Sequence, residues 1–165
     1  MKPSVNTFDI HDLAIGYQSI PLNKNANINN SNDFNQYSRK VVVLNKELPY
    51  DFRNRLKYLR KKLNLTREKL SELSYISDQT IKQIENDENR GYTLDTIISL
   101  CIGMNLSPDL SIPLIESSGY CIGYNSSKLI VAYNYILRNM YYCSIDEIND
   151  FLEANNLKKL SDNYK

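Results

Sequence analysis

Apolar residues between positions 52 and 117 recur at the spacing of short amphipathic helices. Phe52, Leu56, Leu59 and Leu63 follow one another at intervals of four, three and four, so they share one face of a helix. Four shorter runs follow, and their apolar residues also return every three or four positions. The pattern predicts five helices with tight connections, and therefore an all-α domain over residues 52–117.

Polar residues before the later runs predict where those helices begin. The residues suited to a helix N-cap are Thr66, Ser77, Thr93 and Ser107. Lys69 stands where a capping box needs Glu or Gln, so we expect a cap made by a single hydroxyl. Pro108 suits the first position of the fifth helix, and Pro113 is close enough to bend or end it.

The two flanking segments differ from each other. Residues 1–51 are weakly patterned and hold seven Asn between positions 23 and 35, which predicts an irregular arm. Within the arm, residues 40–44 include three β-branched valines and could form a short strand. Residues 118–165 predict two more helices, one starting at Ser126 or Ser127 and one capped by Ser144 with Glu147 in a capping box. These two helices either form a dimer interface or complete the core.

Charge is balanced over the whole chain but not along it. Twenty Lys and Arg against 19 Asp and Glu leave a net charge of +1, which excludes a wholly basic coat for nucleic acid. Residues 52–90 nevertheless carry ten basic and six acidic residues, whereas residues 91–165 carry five basic and eight acidic ones. Such a basic run often marks only a solvated helix face, so its meaning depends on the motif around it.

Several kinds of chemistry find no support in the composition. The three Cys are widely spaced, which argues against a disulfide framework or a zinc site, and Cys101 lies in an apolar helical pattern typical of a buried thiol. His11 is the only His, so any Ser-His or Cys-His pair would need it. We expect no enzyme activity, no cofactor and no metal. No segment has the length of a membrane helix or secretory signal, so we expect a cytoplasmic protein.

The two short helices at 67–73 and 77–85 form the motif that indicates function. A tight link between two such helices is a helix-turn-helix unit, whose second helix enters the DNA major groove N-terminus first. Ile81 and Ile84 must face the core, which leaves the other side of helix 77–85 for the groove. The residues on or near that side are Asp78, Gln79, Thr80, Lys82 and Gln83.

Each of these side chains has a role that its chemistry suggests. Gln79 is the strongest candidate base reader, because its amide offers a donor and an acceptor that match adenine N6 and N7. Lys82 can meet guanine or a phosphate, and Thr80 a thymine methyl or a phosphate. Gln83 is expected to contact phosphate. Arg67 opens the first helix of the pair and is expected to clamp a phosphate, which positions the protein without reading sequence.

Five phrases in this region together resemble the lambda-repressor-like helix-turn-helix family of the Xre/Cro-repressor type. They are Leu56 to Lys62, Leu65 to Leu70, Ile76 to Asn86, Thr93 to Ile97 and Leu106 to Pro108. The resemblance implies a five-helix DNA-binding domain over 52–117, followed here by a two-helix extension over 118–165. It also implies a homodimer on a palindromic operator in double-stranded DNA.

The resemblance implies further site residues. Asn86 and Arg90 match the loop that approaches backbone phosphate in this family. Arg60 and Glu85 match a structural ion pair between the first and third helices, which suits partly buried charges because each then has a partner.

Two positions depart from the family pattern. Tyr75 stands where the family usually has Gly in the turn. If that position needs a positive φ, Tyr costs on the order of 1 kcal/mol there; otherwise the turn has another shape. Asp78 is acidic at a position that faces the groove. It either accepts a hydrogen bond from cytosine N4, or caps its helix and repels phosphate, and Lys82 is placed to pair with it.

The sequence is therefore compatible with two functions. The first is a sequence-specific DNA-binding transcriptional regulator, acting as a repressor, that reads the major groove with helix 77–85. The alternative is a protein-interaction module on the same fold, such as an antitoxin or phage-system adaptor.

Overall fold

The computed structural model describes residue 35 and residues 38–39, 42–43, 46–86, 92–123 and 127–161. Within these ranges the regular structure is all-helical, as the sequence predicts. The chain divides into two compact units, Met1–Leu48 and Pro49–Lys165. In the first unit, Val42 and Val43 are helical and exposed, which is not the extended conformation that a strand over 40–44 requires. The rest of that segment lies outside the described residues.

Seven helices with described bounds build the second unit. They are α1 (Phe52–Lys62), α2 (Arg67–Ser74), α3 (Asp78–Glu85), α4 (Leu94–Gly103), α5 (Pro108–Ser117), α6 (Lys128–Asn139) and α7 (Ile145–Ala154). The first five correspond to the five predicted by apolar spacing. α5 continues through Pro113 to Ser117, so the proline does not end the helix.

Most of the predicted caps form. The side chains of Thr66, Ser77 and Thr93 accept backbone hydrogen bonds from the third residue of α2, α3 and α4. Ser144 and Glu147 make the predicted reciprocal capping box, and these hydrogen bonds lower the pKa of Glu147. The cap before α5 differs from the prediction: the Ser107 side chain makes no capping hydrogen bond, and its hydroxyl is buried without a partner among the described residues.

Four described residues other than glycine have a positive φ, and they lie just after helices. Asn64, Asn105 and Asn156 follow α1, α4 and α7, where an asparagine tolerates the left-handed conformation that ends a helix. The amide of the residue after each asparagine then donates back to the helix, as when the Leu65 amide donates to the Arg60 carbonyl at 3.1 Å. The fourth is Tyr75, which has no such intrinsic preference.

The core surrounds α4, which packs against α2, α5, α6 and α7. Every residue of α4 from Ile97 to Gly103 is buried, and Cys101 among them is the predicted core thiol. Burial raises its pKa well above the ordinary range, so the thiol stays protonated at neutral pH.

α6 and α7 complete this core with their inner faces. Tyr133, Ile136 and Leu137 of α6 are buried, as are Ile148 and Leu152 of α7. The sequence allows these helices two possible roles, a dimer interface or completion of the core. Their inner faces complete the core.

A polar contact also ties α6 to the start of α4. The Tyr133 hydroxyl donates to Asp95 Oδ1 at 2.7 Å. Burial, followed by this hydrogen bond, raises the pKa of Tyr133 above its ordinary range, which keeps the hydroxyl a donor. In the part of the chain that the structure describes, no helix is long and apolar enough to cross a membrane.

Candidate nucleic-acid interface

The turn between α2 and α3 places these two helices in a helix-turn-helix arrangement. α2 ends at Ser74, Tyr75 adopts φ 57° and ψ 21°, and Ser77 caps α3 two residues later. The turn thus keeps the left-handed conformation in which glycine is the usual residue, although a tyrosine occupies it. A tyrosine in this conformation costs on the order of 1 kcal/mol relative to glycine.

A contact from the C-terminal helix offsets that cost. The Tyr75 hydroxyl donates to Asp146 Oδ2 in the first turn of α7, with an oxygen–oxygen distance of 2.8 Å. A hydrogen bond to a charged acceptor contributes more than one between neutral groups. The turn of the motif is therefore held by a residue 71 positions further along the chain.

The two faces of α3 are separated as the sequence predicts. Ile81 and Ile84 are fully or almost fully buried, whereas Gln79 and Lys82 are exposed. Gln83 is half-buried at the edge of the exposed face. The amide of Gln79 therefore lies in solvent in the first turn of α3, where a major-groove reader is expected to lie.

Thr80 is less available than its position suggests. Its backbone amide donates to the Ser77 hydroxyl at 3.1 Å, and its own hydroxyl lies 2.7 Å from the same oxygen. The hydroxyl is thus part of the cap of α3. A hydrogen bond from Thr80 to a base or phosphate would have to share or replace this contact.

Arg67 and Asp78 form an ion pair across the two helices. Arg67 opens α2, Asp78 opens α3, and the distance from Arg67 Nε to Asp78 Oδ1 is 3.6 Å. That distance allows electrostatic attraction but exceeds a hydrogen bond. Asp78 Oδ1 is shielded from solvent and has no hydrogen-bond partner among the described residues. Opposite charges therefore meet at the end of the unit that would face DNA.

This pair changes the interpretation of Asp78. The N-cap of α3 is Ser77, so the capping role considered for Asp78 belongs to its neighbour. The carboxylate that Asp78 contributes to the first turn still suits the positive end of the helix dipole. Its partner in the structure is Arg67, and not Lys82 one turn along α3 as the spacing suggested.

Arg60 and Glu85 hold α1 against α3. Arg60 Nε and Nη2 donate to the two carboxylate oxygens of Glu85 at 2.6 and 2.9 Å, and Arg60 Nη1 donates to the Leu65 carbonyl at 2.7 Å. The side chains are 9% and 1% exposed. This two-pronged geometry satisfies both buried charges, so the pair fixes the position of α3 beneath its exposed face.

The loop after α3 is described only at its start. Asn86 is exposed and ends α3, with its amide donating to the Lys82 carbonyl at 3.0 Å. Arg90 lies outside the described residues. The side chain of Asn86 is thus exposed at the C-terminal end of α3, where the predicted phosphate contact requires it.

Sequence reasoning did not find two of the contacts at this site. The Arg67–Asp78 pair could have been predicted, since the first residues of the two helices of the motif have opposite charge. The Tyr75–Asp146 hydrogen bond had none, because nothing in the sequence indicates that α7 begins beside the turn.

One comparison with known proteins gives a match. Residues 56–110, about a third of the chain, match the model of a family described as helix-turn-helix. The match runs from within α1 to within α5 and so includes both helices of the motif. No curated protein and no solved structure matches the chain.

Proposed function

Since residues 56–110 belong to the helix-turn-helix family of the lambda-repressor-like type, we propose that the chain is a sequence-specific DNA-binding transcriptional regulator. Its function would be that of a repressor bound as a homodimer to a palindromic operator. The observation that carries the proposal is the exposure of Gln79 in the first turn of a helix whose opposite face is locked into the core.

Binding to DNA divides between positioning and reading. Basic side chains of residues 52–90 would neutralise phosphates, which supplies much of the affinity and makes it sensitive to salt. Gln79 would read an adenine, with Lys82 at the next turn of α3 on a guanine or a phosphate. Asn86, Gln83 and, outside the described residues, Arg90 would contact the backbone. Thr80 would contact a thymine methyl or a phosphate while its hydroxyl takes part in the cap that Ser77 makes on α3.

Selection of binding sites from random double-stranded DNA at physiological salt tests this proposal. We expect an enriched sequence with two related half-sites, because a symmetric dimer presents α3 twice. Failure to enrich any sequence, together with no retention on heparin, would reject DNA binding. A failure to bind DNA would favour the protein-interaction module instead. The ion pair of Asp78 with Arg67 agrees with that alternative, because it lowers the positive charge at the end of the domain that would face DNA.

Gln79→Ala is expected to weaken binding to the best site by about 1–3 kcal/mol and to relax the preference at one base pair. The reason is that a bidentate amide contact to adenine is lost while phosphate contacts stay. Fluorescence anisotropy on the selected site and on random DNA measures both effects. Lys158→Ala, on an exposed lysine that follows α7, is the matched control and should change neither affinity. Equal losses on both DNAs for Gln79→Ala would remove it as a base reader.

Arg67→Ala is expected to weaken binding to all sequences alike and to reduce the slope of log K against log salt by about 1, since one phosphate contact is lost. Asp78→Asn should strengthen binding to random DNA. It removes the carboxylate charge that attracts Arg67 and repels the phosphates. Anisotropy titrations at several salt concentrations measure both. A slope that Arg67→Ala leaves unchanged would show that this guanidinium does not reach phosphate.

A further inference from the structure

An exposed stripe on α6 has no role in the core or in the helix-turn-helix unit. Lys128, Val131, Tyr135 and Arg138 are spaced three, four and three residues apart, so they lie along one face of the helix. Val131 and Tyr135 are 56% and 51% exposed. Two apolar side chains between two basic ones thus form an exposed apolar patch with charged ends.

α7 extends this surface sideways. Tyr135 stacks on Phe151 of α7 with ring centroids 5.5 Å apart and an angle of 13° between the rings. Lys128 Nζ donates to the Asn155 carbonyl just after α7 at 2.6 Å. These contacts join the start of α6 to the residue after α7 and Tyr135 to Phe151, which is the order of contacts between antiparallel helices. Val131 lies one turn before Tyr135 on the same face of α6.

The two halves of this surface have opposite charge. The charged residues of α6 are Lys128 and Arg138, both basic and both exposed. Four of the five exposed residues of α7 are acidic. Asp146 accepts from Tyr75, Glu147 is in the capping box, and Glu153 pairs with Lys159 Nζ at 3.1 Å. Asp150, one residue before Phe151, has no ion pair with a described residue. Arg138 on α6 and Asp150 on α7 are thus exposed charges of opposite sign on the two helices that meet at the Tyr135–Phe151 stack.

We propose that this surface is the dimer interface and that a second copy of the chain covers it. A two-fold axis lying parallel to α6 and α7 would place α6 of one copy over α7 of the other at the same level. Arg138 would then approach the acidic first half of the partner's α7, and Val131 and Tyr135 would pack on the partner's Phe151. Each contact occurs twice, as a two-fold interface requires.

The charges also select this arrangement among the two-fold pairings. Packing α6 against α6 in antiparallel register would bring Lys128 of one copy opposite Arg138 of the other, and like charges in contact are unfavourable. Packing α6 over α7 instead brings Arg138 of each copy towards the partner's Asp150, so opposite charges meet twice.

This inference deepens the proposed function, on which it rests only in that a palindromic operator needs a dimer. It concerns the outer faces of α6 and α7, whose inner faces complete the core. The test is done on the full chain without DNA, so that the interface and DNA binding are judged separately.

Sedimentation or light scattering over a wide range of concentration gives the dissociation constant of the dimer. Tyr135→Ser removes the apolar centre and should raise this constant at least about tenfold. Arg138→Glu and Asp150→Arg should each weaken the dimer, and the double variant should restore it to within about threefold of the unaltered chain. Tyr50→Ser, at an exposed tyrosine outside the surface, is the control and should have no effect.

The outcomes separate clearly once circular dichroism shows that each variant is folded. An unaltered chain that stays monomeric at all concentrations overturns the inference. So does a dimer that Tyr135→Ser leaves intact, or a double charge exchange that restores nothing. A dimer with the expected sensitivities in a chain that does not bind DNA supports the interface and rejects the proposed function. A monomer that selects a DNA sequence does the reverse.

Discussion

Glu85→Ala is expected to lower the free energy of unfolding by about 3–5 kcal/mol, the largest loss we expect from a single substitution. The substitution leaves the Arg60 guanidinium buried with the Leu65 carbonyl as its remaining described acceptor. Removing one member of a buried pair costs more than the pair contributes, because the other charge keeps its desolvation penalty. Urea unfolding followed by circular dichroism measures the loss as a shift of the midpoint at constant m value.

The matched control replaces both charges. Arg60→Met combined with Glu85→Leu leaves no buried charge, and it should cost far less than Glu85→Ala alone. A residual loss of about 1 kcal/mol is expected, because the hydrogen bond from Arg60 to the Leu65 carbonyl also disappears. If the double variant is as unstable as the single one, then packing and not the isolated charge explains the loss.

Gly103→Val is expected to cost about 3 kcal/mol or more, by forcing α2 and α4 apart. A β-carbon at position 103 would lie 2.7 Å from Ser74 Cβ and 3.0 Å from the Ser74 backbone nitrogen and α-carbon. The backbone cannot move aside as the end of a flexible side chain can. Glycine is otherwise unfavourable inside a helix by about 1 kcal/mol relative to alanine, so the close approach of α2 explains its presence. Urea unfolding measures the cost.

Gly123→Ala is the control for this substitution. A β-carbon there would meet only Cys121 Sγ at 3.8 Å, an ordinary contact. Gly103→Ala should have the same sign as Gly103→Val and a smaller size, since it adds fewer atoms. A neutral Gly103→Ala would show that α2 shifts easily. Affinity for DNA would then report the shift, because α2 carries Arg67.

The helices of the second unit were predictable because their signals are local. The spacing of Leu56, Leu59 and Leu63 fixes one helical face without reference to the rest of the chain. Thr66, Ser77 and Thr93 cap the helices that they precede, and their partners lie three residues away. The exposure of Gln79 follows from the burial of Ile81 and Ile84 on the same helix.

The remaining features depend on contacts between distant parts of the chain. The hydroxyl of Ser107 suits a cap by its chemistry, but only the packed structure shows that it makes no such bond. Pro113 does not end α5, which continues for four residues beyond it. The pairing of Asp78 with Arg67 depends on how the first residues of α2 and α3 meet in space, which the spacing along α3 does not determine.

The link between Tyr75 and Asp146 has a consequence for transplanting the motif. A chimaera that carried only the first five helices would keep a tyrosine in a left-handed turn and discard the carboxylate that anchors its hydroxyl. Grafts of this recognition unit onto another scaffold should therefore include α7, or should return a glycine to position 75. The smallest fragment suitable for transplantation therefore includes the C-terminal segment through α7.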